Sequence, residues 1–172
     1  MKSVTRAKLL GAFSNEVRDL IASRCDGVVL NLCAGSWDFG ITVDLIQPAQ
    51  ICADVQALPF KNAAADTIIF DPPFSKKFRR QYGAYYANRR QVFGEVLRVL
   101  KPGGLLIFSH YFIPQFKILF LEEVYMIVNM PWEHVRVLSF SRRQKKLDDL
   151  DFALFGISAK KEFGSQKCTA IV

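Results

Sequence analysis

Apolar residues gather along this chain in short runs, most of them ending on small or acidic residues. Val4, Leu9, Leu10, Phe13, Val17, Leu20 and Ile21 fall at mostly helical spacing, which predicts an amphipathic helix over residues 4 to 24. GVVLNL (27 to 32), ITVDLI (41 to 46) and DTIIF (66 to 70) are continuous apolar stretches of strand length, and QICADV adds a short strand before the ALPF turn. RRQVFGEVLRVL (89 to 100) predicts a helix that KPGG stops through Pro102 and its two glycines. GLLIFSHYF is the next strand. LEEVYMIVN and EHVRVLSFSRR flank a turn at MPW and predict an antiparallel hairpin.

Strand and helix alternating, then a closing hairpin, predict an α/β fold: a mostly parallel sheet with helices on both faces. Ligands of such a sheet sit at the carboxyl ends of its strands. With 172 residues, 51% of them hydrophobic, the chain can bury one good core and has little room for a second domain. The expected division is a single domain over residues 1 to 146 and a tail over 147 to 172, left open between ordered extension and partial disorder. No window approaches eighteen consecutive apolar residues, since ILFLEEVYMIV is cut by Glu122 and Glu123, and the amino terminus has no signal-peptide pattern. A cytoplasmic, soluble protein is expected. Cys25, Cys33, Cys52 and Cys168 are scattered without a CxxC pair, so reduced thiols and no metal site are expected.

Four strand ends carry candidate chemistry. NLCAGSWDFG follows the first strand with Gly35 and Gly40 as permissive points, a place where a ligand can approach the main chain or where the chain simply turns. Asp44 ends the second strand, where a carboxylate can accept from the two hydroxyls of a ribose, and Asp54 follows the third; either acid can instead cap a turn. The DTIIF strand runs into DPPF. Pro72 and Pro73 fix φ and remove two donors, leaving carbonyls as acceptors, and they hold Asp71 extended at the lip of the sheet. A carboxylate and a carbonyl there can grip an NH2 group while Phe74 stacks on the plane that bears it. An exocyclic base amine is a poor nucleophile, so its transfer chemistry needs that alignment and relief of developing positive charge. The competing reading of DPPF is a strand-ending turn with a buried ring.

The formal charge of +7 is clustered. SKKFRRQYGAYYANRR (75 to 90) carries six basic residues, Lys76, Lys77, Arg79, Arg80, Arg89 and Arg90, no acidic ones, and the rings of Phe78, Tyr82, Tyr85 and Tyr86. Basic side chains interleaved with rings suit a phosphate backbone and unstacked bases, so Lys76, Lys77, Arg79, Arg80, Tyr82, Arg89 and Arg90 are the candidate nucleic-acid contacts. Arg142, Arg143, Lys145 and Lys146 form a second basic group. His110, after the fifth strand, is in reach of a substrate or is structural.

In order, NLCAGS, Asp44, ADVQALPF, DPPF and LRVLKPGGLLIF resemble the motifs of class I S-adenosylmethionine-dependent methyltransferases, specifically amino-methyltransferases with an [DNS]PP[YFW] motif, over roughly residues 27 to 143. The resemblance implies a Rossmann-like fold and S-adenosylmethionine as cofactor. It implies that Asn31, Cys33, Ala34, Gly35, Ser36, Asp44, Asp54 and Val55 border the cofactor, that Asp71 and the Pro72 carbonyl, with Pro73, bind the target amine, and that Phe74 stacks on the base. The sequence departs from the family where Asn31 replaces an acid and Trp37 a glycine. Only WDFG separates the glycine turn from the second strand, too little for a helix, so a shortened first crossover with Trp37 and Phe39 covering the gap is expected.

The function expected from these residues is methylation of an exocyclic base amine, first adenine N6 in DNA, in the manner of small phage-like enzymes. The alternatives are a base amine in RNA (adenine N6 or guanine N2), and a catalytically weak nucleic-acid-binding module of the same fold. Carbon-5 cytosine chemistry is disfavoured because no proline precedes a cysteine.

Overall fold

A computed structural model describes residues 13–73, 88–127 and 135–145 of the chain. Helix α1 (Asn15–Arg24) starts on Ser14, whose hydroxyl accepts the Val17 N–H at 3.4 Å. Phe13 precedes that cap instead of lying on the helix, and it is buried edge-on to Trp37. The expected start at residue 4 lies outside the described residues. The other elements are β1 (Val29–Leu32), β2 (Ile41–Asp44), β3 (Ile51–Cys52), β4 (Ala65–Phe70), α2 (Arg89–Val99), β5 (Leu100–His110), β6 (Leu119–Ile127) and β7 (Arg136–Arg143). They form one seven-stranded sheet in the order β3-β2-β1-β4-β5-β7-β6. The first five strands are parallel, and β7 runs antiparallel to both β5 and β6.

Side chains alternate along each strand, so the sheet feeds two cores. Leu30, Leu32, Ile68, Phe70, Leu106 and Phe108 pack with Val92, Phe93 and Val96 of α2 on one face. Ile69, Leu105, Ile107, Leu138 and Phe140 pack with Phe13 and with Ile21 of α1 on the other.

The link from β1 to β2 is eight residues, 33 to 40, and contains no helix. Trp37 and Phe39 cover the gap as expected. Their rings stack at 5.1 Å, the Trp37 indole meets Phe13 edge-on at 5.9 Å, and the Arg18 guanidinium lies 5.6 Å from the same indole. Buried Asn31 ties the link down by donating from its side-chain amide to the Trp37 carbonyl at 3.1 Å.

The helix stops before KPGG, as expected, and no separate turn follows it. Helix α2 ends at Val99, and β5 begins at once through a ladder irregularity in which Ala65 pairs with Leu100 and Thr67 with Leu105. Gly104 is required there by close approach, because a Cβ would lie 2.8 Å from the Asp66 carbonyl oxygen. The helix is closed from a distance: buried Arg143 of β7 donates to the carbonyls of Leu97 (2.8 Å) and Leu100. At its other side, α2 clamps the link between β3 and β4. Arg98 donates to the carbonyls of Leu58 (3.0 Å) and Phe60 (2.7 Å) while paired with Glu95, whose other oxygen accepts the Leu58 N–H at 2.8 Å. No helix among the described residues is long and apolar enough to cross a membrane.

Trp37→Ala is expected to cost about 2–4 kcal/mol in urea unfolding, since it empties the space a crossover helix would fill. Arg143→Met is expected to cost about 2–4 kcal/mol because it strands buried carbonyls, against about 1 kcal/mol or less for Arg142→Met, whose pairing with Glu122 is exposed.

Candidate active site

The carboxyl ends of β1, β2 and β4 meet around Cys33. Its backbone N–H donates to the Val43 carbonyl at 2.8 Å, and the Asp71 N–H reaches the Leu32 carbonyl at 3.4 Å, so neighbouring strands set the level of the turn. Cys33 has φ 57°, a left-handed conformation that strains a non-glycine residue by about 1–2 kcal/mol. Burial pushes its thiol well above the usual range, and the charges of Asp44, Asp71 and Asp54 push it further the same way. The three acids singled out from the sequence therefore share one electrostatic neighbourhood, with the thiol held protonated at its centre.

Asp44 binds the two loops together. Its Oδ1 accepts the N–H groups of Ile46 and Gln47, both at 2.9 Å, and its Oδ2 accepts that of Gly35 at 3.2 Å. This is the turn-capping role that the sequence left open, and it leaves one acceptor position on Oδ2. Asp54 caps its own turn, taking the Gln56 N–H at 2.9 Å, and Gln56 in turn accepts the Asn88 N–H at 2.7 Å at the start of α2. Ala34 donates to the Val43 carbonyl at 3.3 Å, and its own carbonyl accepts the Trp37 N–H at 3.0 Å. Ser36 is exposed, Val55 packs against the α2-side core, and Asn31 braces the crossover from the opposite face. A cavity of ≈ 390 Å³ lies beside the turn, lined among others by Gly35, Ser36, Trp37, Thr42, Gln47 and Gln50.

Asp71 is not presented at an open lip. Its side chain is 18% exposed and turned toward Arg136 of β7, with Oδ2 3.6 Å from Nη1. Oδ1 is buried without a hydrogen-bond partner, and Ser109 faces the carboxylate without closing a bond of normal length. Burial pushes the Asp71 carboxyl up to about 7, against the downward pull of the Arg136 charge and the Ser109 hydroxyl. Arg136 is itself 3% exposed and lies 5.3 Å from the Phe13 ring. Neither Arg136 nor Ser109 was singled out from the sequence. The signal for Arg136 was present: in EHVRVLSF it occupies the same alternating face as Leu138 and Phe140, where a charge needs a partner.

Pro72 and Pro73 are half-buried beyond the end of β4, while Phe74 lies outside the described residues. So do Lys76, Lys77, Arg79, Arg80 and Tyr82. Arg89 and Arg90 are exposed in the first turn of α2, with the Arg89 guanidinium 4.9 Å from the Phe112 ring. In the second basic group, Arg142 pairs with Glu122, and Arg143 is buried at the end of α2. The His110 ring lies among Phe108, Phe112 and Tyr111, stacked on Phe108 at 5.6 Å, which is the structural alternative.

Residues 40–108 match a family model described as a methyltransferase domain. Comparison with curated proteins finds no match. Among solved structures, the chain is similar to the 1,6-didemethyltoxoflavin-N1-methyltransferase of Burkholderia thailandensis, solved with S-adenosylhomocysteine, at 11% identity and a TM-score of 0.54, covering 75% of this chain and 76% of that one. It is also similar to the N-methyltransferase NodS of Bradyrhizobium japonicum WM9, again with S-adenosylhomocysteine, at 12% identity and a TM-score of 0.51, covering 74% of this chain and 83% of that one. With five parallel strands, the inserted antiparallel β7 and an outermost β6, the chain has the Rossmann-like fold of class I methyltransferases.

Proposed function

We propose that this protein is an S-adenosylmethionine-dependent methyltransferase whose acceptor is an exocyclic amino group of a nucleic-acid base, first adenine N6 in DNA. The observation that carries the reading is the convergence of Asp44, Asp54 and Asp71 on the turn at Cys33, at the carboxyl ends of the strands of this fold. The remaining acceptor position on Asp44 fits one ribose hydroxyl, and the turn from Cys33 to Ser36 borders the methionine end. When bound, the cofactor supplies an electrophilic methyl carbon on a sulfonium. Asp71 Oδ1 is a buried acceptor in want of an N–H donor, and drawing density toward the nitrogen of a bound amine is the work it can do. The basic, aromatic-rich stretch that follows DPPF in sequence supports a nucleic-acid acceptor.

One observation favours a second reading, a binding module of the same fold. The Cys33, Ala34 and Gly35 N–H groups are already engaged by the Val43 carbonyl and Asp44, which reduces what the turn offers a cofactor. Calorimetry separates the two: nucleic-acid binding without S-adenosylmethionine binding supports the module.

With labelled cofactor and separate pools of duplex DNA, single-stranded DNA and RNA, transfer to an adenine amine in DNA is expected, and transfer to RNA alone selects the RNA alternative. Asp71→Ala is expected to lower transfer at least 100-fold, about 3 kcal/mol, while cofactor affinity changes less than threefold. The reaction needs Asp71 ionised, so the wild-type rate is expected to rise as pH increases through about 7 and then level off. Stability has the opposite slope. Between the ordinary carboxyl value near 4 and about 7 the folded chain holds the Asp71 proton and the unfolded chain does not, so this residue's contribution falls as pH rises through that window. Asp71→Asn removes that slope, as thermal unfolding from pH 4 to 8 would show.

A further inference from the structure

We infer that Arg136 is the positioning residue for Asp71: held in β7, it fixes Oδ2 and keeps the carboxylate an anionic acceptor with Oδ1 turned to the incoming N–H donor. This rests on the amine-methyltransferase reading of the site. A guanidinium 3% exposed has given up its water, and a chain that gained only packing would do as well with an apolar side chain of similar volume. Among what Arg136 meets there is a carboxylate 3.6 Å away, too long for a hydrogen bond and short enough for an ion pair in a dry site.

The placement is built by the sheet. Arg136 lies opposite Ile127 of β6, and β7 continues through Val137 opposite His110 and Leu138 opposite Ser109 of β5. Asp71 follows the Phe70–Phe108 pair, so it comes level with Ser109 on the α1 face, and Arg136 reaches it across β5. The Phe13 ring, 5.3 Å from the guanidinium, closes the far side. The charged and titratable groups around Asp71 are thus Arg136 from β7 and the Cys33 thiol from the end of β1, with Asp44 and Asp54 also acting on that thiol, while the Ser109 hydroxyl faces it from β5. Among the described residues, Arg136 is the cation of that set. A guanidinium does not lose its proton, so its hold on Asp71 is permanent across the working pH range. Burial alone drives the carboxyl toward its neutral form, which donates rather than accepts.

The test is the titration of the Asp71 carboxyl, followed by carbon-13 NMR on the full chain, beside the pH profile of methyl transfer. In Arg136→Gln the Asp71 midpoint is expected to move up by at least one pH unit, a tenfold change, and Arg136→Lys to move it less. The pH midpoint of transfer should follow, with most of the rate regained at high pH. Circular dichroism confirms that each variant is folded. An Asp71 titration unchanged in folded Arg136→Gln overturns the proposal, as does a rate lowered equally at every pH. If Arg136→Gln does not fold, Arg136→Lys decides by the same two criteria. A wild-type protein that methylates no amine sinks the functional reading alone, because the carboxyl titration still judges the pairing.

Discussion

Two parallel strands joined by eight residues leave no length for a helix between them, and that shortage shapes the whole carboxyl rim. The sheet face that the helix would cover must still be kept from water, and the link does this with its own side chains. Trp37 and Phe39 fold onto the α1 face, Asn31 pins the carbonyl of Trp37, and Phe13 packs in from before α1. The same short path draws Gly35 against Asp44, so the acid at the end of β2 becomes the fastening of the turn as well as a feature of the candidate site.

The rest of the rim is fastened from α2. Glu95 and Arg98 grip the link between β3 and β4 through main-chain atoms of Leu58 and Phe60, and Gln56 is tied to Asn88 and Gln91. These bonds fix the loop bearing Asp54 from the side of α2. The helix that packs beneath β4 and β5 is therefore also the frame of the opposite side of the site. Among the described residues, Arg136 enters from the antiparallel end of the sheet and brings a cation to the acids Asp44, Asp54 and Asp71.

Much of this was legible in the chain. Runs such as VVLNL and DTIIF carry no alternation because both of their faces are covered, and the count of residues in WDFG alone announced a crossover without a helix. What escaped was direction. DPPF marks the end of a strand, but Asp71 shares a face with Ile69, and counting alternate positions would have turned it inward toward Arg136. Arg142 and Arg143 stand side by side in the chain, but neighbours on a strand point to opposite faces, so one side chain meets Glu122 and the other the end of α2. KPGG ends the helix as its residues imply, but it does so inside the start of β5, as the irregularity between the Ala65–Leu100 and Thr67–Leu105 pairs.

Arg143 ties the finish of α2 to a strand made more than forty residues later. On the ribosome, α2 and β5 emerge while the carbonyls of Leu97 and Leu100 still face water, and β5 is an open edge until β7 arrives to lie beside it. The two events are one: the strand that seats itself next to β5 carries the guanidinium that seals the helix. A chain halted before that strand would hold every acid of the rim, yet lack both the lock on α2 and the cation beside Asp71. The last of the described strands thus decides when the first half of the molecule becomes a finished site.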